Sequence, residues 1–295
     1  MSAKVIQLLS PAKINLYLKV TGKRKDGYHN IATLFQMVDI FDTITFRQTE
    51  KPEIRVTCSM KSIREKDNLA YIAAKSLWKP KLGGIHISIE KKIPSGAGLG
   101  GGSSNAATVL YGLNKIWQLG LTQKQLASRG AKLGADVPFF LTSPRAWGTG
   151  IGDRLRPLPP VEPFYILIVK PKVNVSTMSI YGHLSKRLTI PVIKTNINVT
   201  FKKSATFEET VEHLQNDLGE VVEEMHPVVR SVKRELAKYA GKGVMVTGSG
   251  SAVFAIFKSR SGALNAKKGL RDKPWWCSLA EPIADLKHLK PVTVS

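Results

Sequence analysis

The chain has 295 residues, 43% of them hydrophobic, which is enough for one or two globular domains with a packed core. Its formal net charge of +22 is spread over both halves and would suit an anionic partner such as a nucleic acid, a membrane surface or a phosphorylated small molecule. Cys58 and Cys277 are too few for a disulfide framework and lack metal-ligand spacing, so we expect a reducing compartment.

The apolar runs of the chain, such as residues 165–169, have the length of strands and are far too short to span a membrane. The stretch before Ser10 has no long apolar segment that would act as a leader. The longest basic run, Lys23-Arg24-Lys25, is not accompanied by an arginine-rich arm or a helix-turn-helix pattern. We therefore expect a soluble, cytoplasmic protein without a membrane partner, whose charge favours a phosphate-bearing small molecule over nucleic acid.

The first half of the chain mixes strands and helices. Apolar side chains recur at every second position in three segments, which predicts strands at residues 14–21, 42–48 and 84–91. Helical spacing of apolar residues predicts helices at residues 68–78, 104–117 and 122–133. Thr122 can cap the last of these helices, and Gly134 would end it.

The second half begins after Pro157-Leu158-Pro159-Pro160, the clearest break in the chain. This break predicts a boundary between a domain of residues 1–160 and one of residues 161–295. Beyond it the pattern predicts a strand at 164–170, a loop, helices at 207–225 and 227–240, and strands at 243–247 and 252–258. The order predicts an α+β protein of two lobes.

The most informative segment is the glycine-rich loop before the helix predicted at residues 104–117. Glycine reaches positive φ and has no side chain to hold a ligand away, so main-chain N–H groups of the loop and the helix can converge on a phosphate. Ser103 or Ser104 could cap this helix, or one of them could face a cation or a phosphate oxygen. A flexible Gly-Ser linker is the alternative, but such linkers are not usually bounded by a strand and an apolar helix.

Three phosphate-binding patterns can be compared with this loop. Gly96-x-Gly98-x-x-Gly101 satisfies the dinucleotide fingerprint, but no acidic residue follows about 20 positions later to hold a ribose. A P-loop would need a Lys-Ser or Lys-Thr pair where Gly102-Ser103-Ser104 stands. The remaining pattern, Pro94-x-x-x-Gly98-Leu99-Gly100-Gly101-Gly102-Ser103-Ser104-Asn105, resembles the phosphate-binding motif of the GHMP kinases, which include galactokinase, homoserine kinase and mevalonate kinase.

Two further segments carry the same resemblance. Residues 10–18, Ser-Pro-Ala-Lys-Ile-Asn-Leu-Tyr-Leu, and residues 246–254, Val-Thr-Gly-Ser-Gly-Ser-Ala-Val-Phe, are similar to the outer two motifs of the family. Within the family, the chain is most similar to members that phosphorylate a cytidine-diphosphate-linked methylerythritol. That narrowing rests on shorter matches at residues 26–29, 33–36, 67–69 and 133–140. The resemblance covers the chain from Ser10 to Phe257, and nothing specific is recognised beyond it.

The resemblance implies an α+β, two-lobed GHMP kinase fold, with a ribosomal-protein S5 domain 2-like N-terminal lobe and a ferredoxin-like C-terminal lobe. ATP and the acceptor would meet in the cleft between the lobes, in an ATP-dependent kinase of the non-mevalonate isoprenoid route. The ATP-binding residues that it implies are Asn68, Lys91, Pro94, Gly96, Gly98, Leu99, Gly100, Gly101, Gly102, Ser103, Ser104 and Asn105.

Asp136 and Lys13 are the predicted catalytic residues. Asp136 lies between Gly134 and the Val137-Pro138 step, where a carboxylate can project from a turn and take the proton of an acceptor hydroxyl; its alternative role is a helix cap. Lys13 lies in an apolar strand pattern, where an ammonium group needs a carboxylate partner. The resemblance makes Asp136 that partner, whereas a lysine that extends to solvent is the alternative.

The acceptor-binding residues follow from the resemblance. Tyr28 would stack on the cytosine and His29 would hydrogen-bond its edge, with Tyr181 as a second aromatic wall and Thr177 nearby. The family often has phenylalanine at the position of Tyr181, and the residues around Tyr181 match poorly. Two further sets of contacts are predicted from Asn15, on the strand face of Lys13, and from Thr247 with Gly248, in a turn near the acceptor phosphates; structural roles are the alternative for all three.

The sequence leaves more alternatives open for the residues that would bind the nucleotide. Asn68 and Lys91 match positions near adenine, but they could equally be a helix cap and a solvated charge. Ser95 stands where the family has methionine. Because no carboxylate pair marks a metal site, Mg²⁺ is expected to arrive bound to ATP and to be contacted by Ser104 or water.

Three functions are compatible with the sequence. The first is the kinase of a cytidine-diphosphate-linked methylerythritol, acting on its 2-hydroxyl. The second is a GHMP kinase for another small alcohol, and the third is a basic nucleic-acid-binding protein of the same fold. A monomer or a homodimer would serve any of them.

Overall fold

The computed structural model describes residues 5–60, 64–187, 205–290 and 292–294. Its strands are β1 (Val5–Lys23), β2 (His29–Thr49), β3 (Ile54–Cys58), β4 (Gly84–Glu90), β5 (Arg145–Thr149), β6 (Arg154–Pro157), β7 (Tyr165–Lys170), β8 (Gln215–Asn216), β9 (Val244–Val246), β10 (Val253–Phe257), β11 (Trp276–Ala280) and β12 (Val292–Val294). Its helices are α1 (Leu69–Leu77), α2 (Gly101–Ile116), α3 (Gln123–Ala131), α4 (Val137–Thr142), α5 (Thr177–Arg187), α6 (Phe207–Glu212), α7 (Gly219–Met225), α8 (Pro227–Ala240) and α9 (Arg260–Gly269).

The strands form two sheets. The larger sheet has the order β12-β1-β2-β4-β3. In addition, β5 pairs with β2, β6 pairs with β5, and β8 pairs with β1. The smaller sheet has the order β11-β7-β10-β9. Helices α1, α2 and α4 cover one face of the larger sheet, and α7, α8 and α9 pack against the smaller one. The described part of the chain contains no helix with the length and apolar character that a bilayer crossing requires.

Strand β1 connects the two sheets because its alternating side chains face different neighbours. Ala12, Ile14 and Leu16 are buried in a cluster with Ile166 and Ile168 of the smaller sheet. Lys13 and Asn15 alternate with them and therefore point to the opposite face, which α2 and α4 cover. The apolar face of this strand thus holds the two sheets together, while the side chains of Lys13 and Asn15 on its other face are available for chemistry.

The predicted helix at residues 207–225 is interrupted. Helix α6 ends at Glu212, the residues of β8 pair in parallel with Tyr17 and Leu18 of β1, and α7 begins only at Gly219. The prediction of one helix is wrong because the side chains of Asn216 and Asp217 bond to distant backbone groups instead of continuing the helical pattern.

The residues beyond Phe257, for which the sequence predicted nothing, complete both sheets. Strand β11 closes the smaller sheet, and Pro282 then forms a bridge with Val38 of the larger one. The main chain continues along β2, where Ile283 N–H donates to the Met37 carbonyl over 3.0 Å, and ends with β12 antiparallel to residues 5–7. The boundary at residue 160 stays a prediction, since residues from beyond it pair with the first sheet.

Candidate active site

A cavity of about 1250 Å³ lies beside the middle of β1, on the face that carries Lys13 and Asn15, and is lined also by the glycine-rich loop, α5 and the turn at Gly248 and Ser249. It is open to solvent beside the loop of residues 24–28 and extends to the start of α1. The predicted site residues that line it are Lys13, Asn15, Tyr28, His29, Asn68, Lys91, Pro94, Gly96, Gly98, Leu99, Gly100, Gly101, Gly102, Ser103, Asn105, Asp136, Thr177, Tyr181 and Gly248. Ser104 and Thr247 lie behind its wall.

The glycine-rich loop approaches β1 and the turn after β9 so closely that two of its glycines have no room for a Cβ without displacing a neighbour. Gly98 has φ +74°, and a Cβ there would lie 2.3 Å from the carbonyl oxygen of Thr247. Gly100 has φ +69°, and a Cβ there would lie 3.0 Å from Cγ of Lys13. The Lys13 N–H donates to the Leu99 carbonyl over 2.9 Å, so the loop is fixed directly to β1.

Helix α2 begins at Gly101, three residues earlier than the sequence predicted, and Gly100 at its N-cap provides no side-chain cap. The proposed cap by Ser103 or Ser104 is therefore wrong, because both serines already lie in the first turn. Without a capping side chain, the first N–H groups of this 16-residue helix are left for a ligand, and its dipole favours an anion.

A buried polar network supports the loop from below. Asp42 is fully buried; it accepts hydrogen bonds from the Lys92 and Ile93 N–H groups at 2.7 and 2.9 Å and forms an ion pair with Lys91. Asn105 of α2 donates to Asp42 over 2.9 Å. Lys91, predicted to lie near adenine, lines the cavity but has its ammonium group between Asp42 and Asn105, so it is neither solvated nor free.

Ser104 is part of the same network. Its hydroxyl is fully buried and accepts a hydrogen bond of 2.8 Å from Ser10. Ser103, one position earlier, lines the cavity instead. The predicted contact of Ser104 with a metal ion or phosphate is therefore not available in this structure, and Ser103 is the hydroxyl on the ligand side.

Lys13 and Asp136 meet at the floor of the cavity. The Lys13 ammonium lies 3.3 Å from the Asp136 carboxylate and donates to Asn15 Oδ1 over 2.8 Å. The side chain of Lys13 is 5% exposed and lies over the Phe35 ring, whereas that of Asp136 is 32% exposed. Asp136 makes no side-chain cap to α4, so the alternative of a capping aspartate has no support.

Asn15 is held by protein groups on both sides of its amide. Its Oδ1 accepts from Lys13, and its Nδ2 donates to the Thr33 hydroxyl over 2.8 Å. Its backbone N–H donates to the Thr247 hydroxyl over 3.0 Å, and Thr247 is fully buried. Asn15 and Thr247, both predicted to bind the acceptor, therefore join β1 to the last motif and position Lys13.

The aromatic end of the cavity is arranged differently from the expectation. His29 stacks on Tyr181, with ring centroids 5.1 Å apart and planes 25° apart, and its Nε2 lies 2.9 Å from the Ser185 hydroxyl. Tyr28 is 62% exposed at the cavity mouth. A ligand base therefore cannot lie between His29 and Tyr181, and the free aromatic face is that of Tyr28.

Burial also sets the protonation of this end. Burial, with the positive charge of Lys23 as a smaller cause, lowers the pKa of His29, so the imidazole is neutral at pH 7. Burial, assisted by the negative charges of Asp136 and Asp217, raises the pKa of the Tyr181 phenol. Both rings are therefore uncharged where they stack.

Asn68 accepts a hydrogen bond of 3.0 Å from the Ala70 N–H and so caps α1, which is the structural role that the sequence left open for it. The residues that sequence reasoning missed are Ser249 and Ser185. The Ser249 hydroxyl lies 2.8 Å from that of Thr177 and, like Ser185, lines the cavity. Ser249 stands inside the last motif, between Gly248 and Gly250, whereas the only signal for Ser185 was its spacing of four residues from Tyr181.

Family comparisons match both parts of the chain. The family described as GHMP kinases N terminal domain matches residues 68–143, and GHMP kinases C terminal matches residues 201–274. A relative from Citrifermentans bemidjiense, 4-diphosphocytidyl-2-C-methyl-D-erythritol kinase, is 44% identical over 280 residues, which cover 94% of this chain and 98% of the relative. The chain belongs to the GHMP kinase family.

Other similar proteins carry the same name or the same fold. The 4-diphosphocytidyl-2-C-methyl-D-erythritol kinase of Neisseria gonorrhoeae is 42% identical over 87% of each chain. A crystal structure of 4-(cytidine 5'-diphospho)-2C-methyl-D-erythritol kinase matches this GHMP kinase with a TM-score of 0.75, 30% identity and coverage of 93% and 98%. A homoserine kinase from Cytophaga hutchinsonii, 18% identical with a TM-score of 0.68, shares the fold. The predicted family and fold class are confirmed.

In this GHMP kinase the three motifs are in contact. The first motif supplies Lys13 and Asn15, the second forms the glycine-rich loop, and the third packs against Gly98 and bonds to Asn15 through Thr247. No group of three or more metal-ligating His, Cys, Asp or Glu side chains occurs in the ranges that the structure describes.

Proposed function

We propose that this chain is an ATP-dependent kinase that phosphorylates the 2-hydroxyl of 4-diphosphocytidyl-2-C-methyl-D-erythritol, a step of the non-mevalonate isoprenoid route. The names of relatives 39–44% identical over about 90% of the chain support the substrate. The observation that carries the chemistry is the ion pair of Lys13 and Asp136, which faces a cavity shared with the uncapped start of α2.

The arrangement supports phosphoryl transfer in one step. The N–H groups of the loop and of α2 would hold the ATP phosphates, and Lys13 would offset the charge that develops on the transferred group. The acceptor hydroxyl oxygen would attack the γ-phosphorus as the bond from phosphorus to the β,γ-bridging oxygen breaks, and ADP would leave with that electron pair. Asp136, the more exposed partner of the pair, would take the hydroxyl proton.

Mg²⁺ would enter bound to ATP. Mg²⁺ prefers oxygen ligands and keeps several waters when one or two protein groups and substrate phosphates hold it. Ser103 and Asp136 both line the cavity, and their hydroxyl and carboxylate oxygens are ligands of the kind that Mg²⁺ prefers. Either group would hold the cation beside the ATP phosphates, where it would neutralise phosphate charge.

The aromatic end would bind the cytosine. Tyr28 offers an open ring face at the mouth, and the neutral His29, whose Nε2 lies against the Ser185 hydroxyl, would offer its Nδ1 to the edge of a base. Thr177, Gly248 and Ser249 lie between this end and Lys13 and would face the diphosphate.

The deciding experiment is a coupled assay of ADP release with purified full-length protein. We expect saturable, Mg²⁺-dependent turnover with the cytidine-containing acceptor and little with mevalonate, homoserine or a sugar. Turnover with one of those alcohols alone would replace the proposal with a GHMP kinase of another substrate. No turnover with any acceptor, together with tight binding of long polyanions that weakens steeply with salt, would favour the nucleic-acid alternative.

The compartment and assembly belong to the same proposal. The free thiols of Cys58 and Cys277 fit the reducing cytoplasm. All residues assigned above come from one chain, so a monomer suffices and a homodimer is compatible. We also propose the division near residue 160 into two lobes, which the break between β6 and β7 supports.

A further inference from the structure

Asn216, which no motif includes, connects three parts of the molecule through one side chain. Its Nδ2 donates to the carbonyl oxygens of Val246 and Gly248, each at a distance of 2.8 Å. Its Oδ1 accepts from the Leu218 N–H over 3.0 Å. Asn216 therefore joins the interruption between α6 and α7 to the turn of the last motif.

The turn that Asn216 holds lies directly over the catalytic strand. A Cβ on Gly248 would lie 3.1 Å from Asn15 Oδ1 and 3.6 Å from the Lys13 ammonium nitrogen. Gly248 and Ser249 both line the cavity. A small displacement of this turn would therefore change the space above Lys13.

The anchor of Asn216 is β1 itself. The pair formed by β8 places Asn216 opposite Leu18, and the neighbouring Asp217 N–H donates to the Leu18 carbonyl over 2.9 Å. The Asp217 carboxylate accepts from the Val20 N–H over 2.8 Å. Through Asn216, the turn is thus fixed to the same strand that carries Lys13 and Asn15.

Peptide geometry gives this bond a chemical consequence. The carbonyl of Gly248 and the N–H of Ser249 belong to one planar trans peptide and point in opposite directions. With the Gly248 carbonyl held by Asn216, the Ser249 N–H is directed away from Asn216. Among the described residues this N–H has no hydrogen-bond acceptor.

We propose that Asn216 is a positioning residue that orients the Gly248–Ser249 peptide so that the Ser249 N–H binds an anionic oxygen of the acceptor. This inference rests on the proposed function for the identity of the acceptor. Other bonds fix the turn to the nucleotide loop: Ala252 N–H donates to the Ala97 carbonyl over 3.1 Å, and Ser251 N–H to the Gly96 carbonyl over 3.3 Å. ATP binding should therefore be independent of Asn216.

The test uses Asn216→Ala and Asn216→Asp in the full-length protein. Each variant removes both donor bonds; Asn216→Asp keeps the acceptor for Leu218, and Asn216→Ala adds no charge. We expect about a tenfold rise in the acceptor KM and a fall in kcat of similar size, with the ATP KM changed by less than about twofold. Amide hydrogen exchange should accelerate in the peptide that covers residues 246–251.

Asn114→Asp is the matched control. Asn114 makes the same kind of bridge, with Nδ2 donating to the Leu121 carbonyl over 2.9 Å and Oδ1 accepting from the Leu121 N–H over 3.0 Å, at the far end of α2. We expect lower stability and faster exchange near residues 114–121 without a change in either KM.

The outcomes separate this inference from the proposed function. Faster exchange at 246–251 with an unchanged acceptor KM would overturn the positioning role, as would equal effects on both substrates. An effect of Asn216→Asp alone would assign the loss to its new charge and also overturn the role. Absence of turnover in the unaltered protein would instead refute the proposed function. Unchanged exchange at 246–251 in Asn216→Ala would still overturn the positioning of the Gly248–Ser249 peptide by Asn216.

Discussion

The nucleotide side and the acceptor side of the cavity are built in different ways. On the nucleotide side, one continuous segment supplies the glycine-rich loop and the start of α2, and the buried Asp42, Lys91 and Asn105 hold it from below. On the acceptor side, β1, the loop of residues 24–28, α5 and the last motif each contribute one or two groups. The proposed phosphate site is thus built by one local motif, whereas the proposed acceptor site depends on long-range packing.

The first prediction tests the point where the two sides meet. Asp136→Asn should leave ATP binding nearly intact and lower kcat by about 100-fold or more, because the amide can no longer accept the hydroxyl proton. Steady-state kinetics and nucleotide titration measure the two effects. Asp272→Asn, at a side chain that is 90% exposed, removes the same charge elsewhere and serves as the control. Unchanged kcat would leave positioning and Lys13 to explain the reaction.

The second prediction concerns the nucleotide side. Gly98→Ala should raise the ATP KM and lower kcat/KM by more than about tenfold, since its Cβ would meet the Thr247 carbonyl at 2.3 Å. Gly120→Ala is matched for backbone conformation, because Gly120 also has positive φ but has nothing within 4 Å of its Cβ. It should lose only about 1 kcal/mol of stability in chemical denaturation. Equal kinetics for the two variants would refute the close approach.

The third prediction concerns the acceptor side. Tyr28→Ala should raise the acceptor KM about fivefold, the effect of losing one stacking face, and leave the ATP KM unchanged. Tyr28→Phe should behave like the unaltered protein in the same assay, because the ring rather than the hydroxyl makes the contact. An equal loss in both variants would assign the role to the hydroxyl.

The fourth and smallest effect is on pH dependence. Because the pKa of His29 is depressed, its ring stays neutral as the pH falls from 8 to about 6.5, and the acceptor KM should change less than about twofold over that range. Below that range the unfolded chain takes up a proton before the folded protein does, so the stability of the folded state falls as the pH drops. KM measured against pH, with His29→Gln for comparison, checks this; a rise centred near pH 7 would contradict the depressed pKa.

Much of the nucleotide side could be predicted from sequence, because glycines at fixed spacing determine a local backbone shape. The side of the helix on which a serine lies could not. Because α2 already begins at Gly101, Ser103 and Ser104 are both helical and their side chains differ by about 100° in direction, so Ser103 lines the cavity while Ser104 is buried. The position of each serine within the helical turn therefore determines which hydroxyl faces the cavity.

The acceptor side was less predictable for a different reason. The stacking of His29 on Tyr181 and the donor bonds of Asn216 join residues 30 or more positions apart, and no periodicity encodes such pairs. Helix α5, predicted as part of a loop, supplies Thr177 and Tyr181. Because the helix was not predicted, the position of the Tyr181 ring relative to His29 could not be predicted either.

The return of the main chain from β11 to the larger sheet has a mechanical consequence. The chain passes between the sheets near Pro160, on either side of β8, which pairs with β1, and again at Pro282, where it bridges to Val38. Each further connection between two bodies removes some of the rotations that a single tether would allow. Opening of the cleft is therefore resisted by all of these crossings, and cutting the chain after β11 would remove only one of them.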